Sequence, residues 1–574
     1  MSQVHIERVD NLPIILTWLL KMRVHTIIDA IWTPHGNWQG LTFGQLAVLF
    51  ITYVIQRRTH TLSKMERWLG QHRTVITQVT GWPVGEQEAT DDRLGILLEQ
   101  LGQDETAGYQ MQRQLSQRQI QAFALPTQVA RYDTTSFNVH HAPAEPGEKR
   151  HQLLRFGYSK DQRPDLLQFK QGLGTLDPAG VPLLTQTLSG EEADDGLYVP
   201  AWQAMVTTLG HPGFLFVADC KAASQETRAT IDRGKGRYLF PLPLTGETPV
   251  WLEEQVGQQR AVPILLPQVL DKNGQPKRYG QGFVVPRHCT GVSTAGQAHS
   301  WSEQCFVTQS AAHAQRQRQA FTSRLARSEH ALNRLRPRQG ETRAACAQRA
   351  QKVLQQQQTT DYFTITIQEK VTEQKRYRQR GRPTPTTPCE LVTRTTLALT
   401  YERHTETIAA ALTMAGWRVY VSNITAEDMS LTDAIGYYRD EWQVEHGIHR
   451  FKNGSVPALP LAVRLPERIR GLMLLLFVAL QALTLLDFVA ARSLTQQQQS
   501  LPGLVPGNPK RQLNRPSAER LLAAFDYLHL VVETQTTGVR CYLVEPLSTL
   551  QCRILDLLGL SVDIYQYGKV LTPT

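Results

Sequence analysis

At 574 residues the chain is too long for one compact core and is expected to hold roughly three or four domains, or one elaborated core with insertions. Its 61 Lys and Arg outweigh 51 Asp and Glu for a net charge of +10, which favours a polyanionic partner such as nucleic acid over an acidic small molecule. Seven cysteines without a single CxxC pair point away from a zinc site or a disulfide framework and towards a reducing cytoplasm.

The chain begins MSQVHIERVDNLPIILTWLL, with an acid and polar residues where a secretory leader would carry a basic region and a clean apolar run. Residues 1–120 read as a helical N-terminal domain. Apolar residues recur at three and four spacing in LPIILTWLLKMRVHTIIDAI and LTFGQLAVLFITYVIQRR, and TDDRLGILLEQL opens like a capped helix. From 121 to 244 strands take over: TQVARYDTTSFNV (127–139), QLLRFGYSK (152–160) and GVPLLTQTL (180–188) form a predicted meander. A helix at 193–209, the apolar strand GFLFVADCK, a helix ended by Gly234 and the strand RYLFPLPL complete a β-β-β-α-β-α-β order.

Residues 245–405 break this rhythm and read as a β-rich and helical insertion. They hold a hairpin signal at DKNGQP, a basic Gln-rich helical segment over 309–357, and two threonine-rich strands, DYFTITIQEKV and CELVTRTTLALTYE. Core elements resume over 406–494, with a helix and strand in TETIAAALTMAGWRVYVSN and a further helix from about 430. The apolar run at 471–490 is interrupted by Gln481 and Asp487 and reads as a buried core helix rather than a membrane span. A low-complexity bridge then leads to a mostly helical segment over 495–574.

Within YYRDEWQVEHGIHRFKNG (437–454), Tyr438, Glu445 and Lys452 are spaced by seven, about 20° short of two helical turns, so one helix would stack them on a single face. Asp133 falls inside the first β-run, and Asp219 ends the apolar strand FLFVAD. Each acid has a structural alternative: Asp133 on a half-exposed strand facing solvent, Asp219 as the cap of the segment that follows. Taken with Glu445, three carboxylates from two strands and a helix can converge on hard divalent cations, magnesium with manganese as a substitute. Two such ions suit phosphodiester chemistry.

YDTTSF with Asp133, VADCKAAS with Asp219 and YYRDEWQVEHGIHRFK with Glu445, in this element order, resemble the DDE transposases of the insertion-sequence-4 superfamily, 1634-type branch. GYSKDQRPDLLQF (157–169) and GVPLLTQTLSG are similar to supporting segments of that family, and the resemblance spans about residues 5–490. It implies an α/β fold with an RNase H-like mixed sheet flanked by helices, an α+β insertion and a helical N-terminal DNA-binding domain. It further implies metal binding and catalysis by Asp133, Asp219 and Glu445, with Tyr438 and Lys452 on the DNA backbone. The activity implied is cut-and-paste transposition through hairpin ends by a homodimer in a synaptic complex on double-stranded DNA. A structure-specific nuclease or resolvase without joining activity, and a catalytically inactive DNA-binding derivative, are the alternatives.

The family signature reads tyrosine, two residues, arginine, three residues, glutamate, six residues, lysine, yet its arginine position here is Glu441. Arg439, the nearest cation, points about 120° away from Glu445 on an ideal helix. Glu441 competes with Glu445 as third ligand; Glu445 is preferred because only it has a lysine seven residues on. His449 reads as a solvated or DNA-side histidine. In the insertion, Trp251 and Trp301 are candidate base-stacking residues, though core roles are favoured. QKRYRQRGRPTPTTP carries Lys375, Arg376, Arg378, Arg380 and Arg382; its RGRP resembles a minor-groove AT-hook, and a basic loop touching any phosphate is the broader reading.

Overall fold

The computed structural model describes residues 3–143, 147–148, 152–270, 275–338, 340–378, 380–385, 387–535 and 538–567. The chain opens with a strand, β1 (Gln3–Arg8), followed by helices α1 (Leu12–Lys21), α2 (Val24–Ile31), α3 (Phe43–Arg57), α4 (Met65–Thr80), α5 (Asp91–Gln103) and α6 (Glu105–Phe123). Polar caps start several of them. Thr42 and Gln45 form a reciprocal capping box on α3, Thr90 accepts from the Arg93 N–H of α5, and Asp104 accepts from the first-turn amides of α6.

The central elements are β2 (Val129–Val139), β3 (Leu167–Leu176), β4 (Val181–Ser189), α7 (Tyr198–Leu209), β5 (Leu215–Ala218), α8 (Gln225–Arg233), β6 (Arg237–Pro241), α9 (Thr248–Gln258), β7 (Val262–Leu270), β8 (Pro276–Val292) and β9 (Ala298–Ser310). After them come α10 (Ala311–Arg334), α11 (Arg343–Gln356), β10 (Phe363–Tyr377), β11 (Cys389–Arg403), α12 (Thr405–Met414), β12 (Trp417–Ser422), α13 (Leu431–Arg439), α14 (Trp442–Lys452) and α15 (Pro466–Gln496). The chain closes with α16 (Ala518–Ala523), β13 (His529–Gln535), β14 (Gly538–Leu543) and α17 (Thr549–Leu558).

The fold is mixed α/β. A nine-stranded sheet runs in the order β4-β3-β2-β5-β6-β12-β9-β8-β7, with helices against it. β4, β3 and β2 are an antiparallel meander, β2-β5 and β5-β6 pair in parallel through α7 and α8, and β12 returns antiparallel beside β6. The parallel strand β5 is buried along its whole length, as a central strand covered on both faces requires.

Four sequence expectations change. The predicted strand over 152–160 is irregular, with an isolated Arg155–Gln168 bridge in place of a ladder; the second meander strand is β3, thirteen residues on from Leu154 at Leu167. Gly157 explains the irregularity: its backbone lies so close to Gly190 that a Cβ would sit 2.3 Å from the Gly190 carbonyl oxygen. Second, β7, β8 and β9 do not stand apart as an insertion module, because β9 pairs with β12 along six residues and extends the main sheet. The DKNGQP turn between β7 and β8 lies largely outside the described residues. Third, β1 departs from the all-helical reading of the first 120 residues, pairing with β13. Fourth, the last segment holds the β13-β14 hairpin as well as helices.

α15 is the one helix among the described residues long and apolar enough to cross a membrane, and 89% of its apolar window is buried inside the fold. Its polar interruptions find partners there: the Gln481 amide nitrogen donates to the Ser116 hydroxyl at 3.2 Å and the Pro182 carbonyl at 2.8 Å, and Asp487 pairs with Arg450 at 2.8 Å. α3 and α5 pack against it, so this helix ties the N-terminal helices to the sheet. Each fully buried Leu or Phe along it contributes about 1.5–3 kcal/mol of apolar burial.

Candidate active site

β2 and β5 run parallel with Tyr132 paired to Ala218, so the next residue of each chain, Asp133 and Asp219, stands side by side at the carboxyl end of β5. Asp133 is three-quarters buried, its side chain 25% exposed. It accepts the Thr134 N–H at 2.7 Å, and the Lys160 ammonium approaches at 3.5 Å. Burial drives its carboxyl above the ordinary carboxylate range, and the neighbouring Asp219 charge adds to this, against the pull of Lys160 and the Thr134 amide. Asp219 does cap the short turn after β5, accepting the Lys221 N–H at 3.1 Å, and it also accepts the hydroxyl of buried Tyr198 from α7. Burial, then the Asp219 charge, raise the Tyr198 phenol so far that it stays a donor. Asp219 thus caps that turn and at the same time stands beside Asp133.

The single helix expected over 437–454 is two helices. α13 ends at Arg439 and α14 begins at Trp442. The break has a cause on β2: Arg131 donates to the Tyr437 carbonyl at 2.6 Å, occupying the acceptor that would receive the Glu441 N–H in a continuous helix. The Glu441 N–H bonds instead to Tyr438 at 3.1 Å, and the chain turns before α14. Arg131 is itself buried and held by Asp177 at 2.7 Å. Tyr438 therefore belongs to one helix, and Glu445 and Lys452 to the next.

Glu441 sits at this turn, and it faces the aspartates. Burial pushes its carboxyl up to about 6; the Tyr438 hydroxyl it accepts and Arg131 oppose that, while Asp133 and Glu445 reinforce it. Tyr438 is half-buried, with its ring 4.6 Å from that of Tyr420. α14 lies over β2 and β3, where Gly447 leaves room for Leu173, the β3 partner of Asp133; a Cβ at Gly447 would come within 3.0 Å of it. Glu445 and His449 are solvent-exposed on this helix. Lys452 lies further along β2, pairing with Asp161 at 2.8 Å and standing 5.9 Å over the Phe137 ring.

Several residues that sequence reasoning passed over belong to this rim. Lys160 also donates to the Thr134 hydroxyl at 3.0 Å, and Asp194 gathers Lys170 at 2.9 Å and Lys221 at 2.7 Å. Lys160 lay inside a segment singled out as similar to the family; Tyr198, Arg131 and Asp194 had no local signal. The other expected contacts are dispersed. Arg439 is exposed, 5.7 Å over the Tyr279 ring. Arg378, Arg380 and Arg382 lie at the exposed tip of the β10-β11 hairpin. Trp301 is a core residue, donating to Tyr238 at 2.9 Å, and Trp251 packs half-buried on the main core.

For a hard divalent cation, the observation in favour is the donor chemistry: two carboxylates in register, with Asp133 raised by burial and then by the Asp219 charge, and Glu441 near Asp133 at the turn before α14. Among the described residues no group of three or more His, Cys, Asp or Glu side chains is drawn together closely enough to hold a metal ion. The pair fits, and a third carboxylate would come from Glu445 on α14 or Glu441 at the turn before it. Neither a protein-family model nor a curated protein sequence matches this chain.

Proposed function

We propose that the protein is a DDE-type DNA transposase with an RNase H-like core, akin to the 1634-type branch of the insertion-sequence-4 superfamily. The observation that carries this reading is the register of β2 on β5, which makes Asp133 and Asp219 neighbours within a β-β-β-α-β-α-β core, with Glu441 at the turn into the helix that bears Glu445. Magnesium or manganese ions held by Asp133, Asp219 and Glu445, or Glu441 in its place, would supply Lewis-acid activation of the attacking oxygen and stabilisation of the leaving one. The chain's own residues do the rest. Tyr198 and the Lys221 amide fix the rotamer of Asp219, and Lys160 holds the backbone beside Asp133. Lys160 and Lys452 offer cations to DNA phosphates on either side of the aspartates. Water would cut the strand at an element end, and the freed 3′ hydroxyl would then attack a second phosphodiester, as the cut-and-paste reading requires; two copies bridging the ends belong to the same proposal.

One observation favours a second reading, the inactive DNA-binding derivative: Glu441 stands where the family signature has arginine, and it crowds negative charge against Asp133. Cleavage of labelled duplexes carrying the element's own ends separates the readings. Wild type is expected to nick and join with magnesium, and Asp133→Asn to lose this by more than about a hundredfold. Loss in Glu445→Gln alone would make Glu445 the third ligand, and loss in Glu441→Gln alone would give that role to Glu441. Absence of metal-dependent cleavage by wild type would move the assignment to the inactive derivative.

A further inference from the structure

The β10-β11 hairpin is a two-stranded ribbon outside the main sheet, with 15 residues in each strand paired in unbroken antiparallel register from Phe363↔Arg403 to Tyr377↔Cys389. At about 3.3 Å per residue it reaches roughly 50 Å. Only its base is covered. Phe363, Ile365, Leu399 and Tyr401 pack against α10, α11 and α12, and Arg403 pairs with Glu329. Beyond Ile367 almost every residue is exposed on both faces, including Val371 at 60% and Leu391 at 62%. An isolated two-stranded ribbon is marginal in water, so one this long and bare is built to lie on something.

Its charge says on what. From Gln374 to Arg394 the sequence carries six cations, Lys375, Arg376, Arg378, Arg380, Arg382 and Arg394, against one acid, Glu390. The register puts Lys370, Thr372 and Arg376 on one face with Thr396 and Arg394 across from the first two. Threonine hydroxyls on that face already tie the strands together, Thr372 to the Arg394 carbonyl and Thr396 to the Lys370 carbonyl, each at 3.1 Å. The ribbon thus keeps its shape without a core beneath it. We propose that this ribbon is a DNA-contacting arm that lays its basic distal half along a groove of duplex DNA, outside the site of the carboxylates. The major groove, about 12 Å wide, admits a two-stranded ribbon, and the exposed half spans roughly one helical turn. A second copy of the chain is the other candidate occupant, since both ribbon edges are open. The concentration of like charge at the tip opposes pairing tip to tip. The proposal shares its DNA partner with the transposase reading and uses none of its chemistry.

The test is binding in EDTA, where no metal-dependent cleavage can occur, of the full chain to a fluorescent duplex of about four helical turns and arbitrary sequence. Two variants are compared with wild type. In one, Lys375, Arg376, Arg378, Arg380 and Arg382 are all changed to Gln, leaving the backbone intact. In the other, Gln368 and Ala398, which are partners across the ribbon, are joined through Asn-Gly to remove the distal half. Both are expected to bind at least about a hundredfold more weakly at moderate salt, with the slope of log affinity against log salt shallower by about three to four. Unchanged affinity and slope in both variants would overturn the arm. So would binding of a single strand through the ribbon as tightly as the duplex, or loss of self-association with the duplex affinity retained. If the arm binds and wild type still fails to cut with magnesium, the transposase reading falls and this one stands.

Discussion

Glu441 is the residue on which the site's electrostatics turn. It is held near two other carboxylates by a tyrosine hydroxyl and by the backbone turn that Arg131 creates. Its carboxyl titrates at about 6, above its ordinary 4.5. The folded state therefore keeps a proton that the unfolded chain has already released, and stability falls as pH rises from about 4.5 to about 6, then stays at the lower level. Replacing it with Gln removes that penalty. In EDTA, Glu441→Gln is expected to unfold at a higher temperature than wild type at pH 7, by about 1–2 kcal/mol, and to match it at pH 4. Thermal unfolding at the two pH values checks this; a variant less stable at pH 7 would mean that Glu441 has a cationic partner. Asp133 and Asp219 were legible because an acid inside or at the end of an apolar run needs a partner, whatever the fold. Arg131, Tyr198 and Asp194 were not, since each draws its meaning from residues brought up by the fold: Arg131 from Tyr437, Tyr198 from Asp219, Asp194 from Lys170 and Lys221.

At the scale of elements, α14 is placed by its far end as much as by the aspartates. Arg450 is buried between Asp487 of α15 at 2.8 Å and Glu519 of α16 at 2.9 Å. Burial alone would raise Glu519, but the guanidinium and the Ser455 hydroxyl hold it down at about 2. Arg450→Met leaves two partly buried acids without their cation and is expected to cost about 2–4 kcal/mol, read by urea denaturation. α5 and α15 cross at two glycines: a Cβ on Gly102 would lie 1.9 Å from the Glu467 carbonyl oxygen, and one on Gly471 1.9 Å from that of Leu98. Gly471→Ala forces the helices apart and is expected to lower stability by about 1–3 kcal/mol, with no rescue from Gly102→Ala. The period of apolar residues made these helices readable. It could not reveal β3, because LQFKQGLGTL buries Gln168, Lys170 and Gln171, whose side chains donate to Gly190, Asp194 and Thr185, so the strand lacks the apolar pattern that sequence reading relies on. The break between α13 and α14 was invisible for a related reason, as its cause is a guanidinium from β2.

Across the whole molecule, segments that look separable along the chain share one core. α3 and α5 lay their apolar sides on α15, whose residues come more than 350 positions later, and β9 carries part of the expected insertion into the main sheet. The helices of residues 1–123 expressed alone would expose the surface that α15 covers, and are expected to show no cooperative thermal transition by circular dichroism while the full chain does. The order of strands and helices from β2 to β6, apart from the place of β3, could be anticipated from alternating apolar runs and turn residues. The joining of distant segments could not, since periodicity reports which face of an element is buried and not what covers it.

The pairing of β1 with β13 has a consequence for how the protein is made. Gln3–Arg8 is synthesised about 520 residues before His529–Gln535, its strand partner among the described residues. At about 5–20 residues per second that wait is roughly half a minute to two minutes. Through it, β1 has α4 to pack on, with Thr74 donating to Glu7 at 2.6 Å, but no strand beside it, so the nascent chain carries an open strand edge for that whole interval.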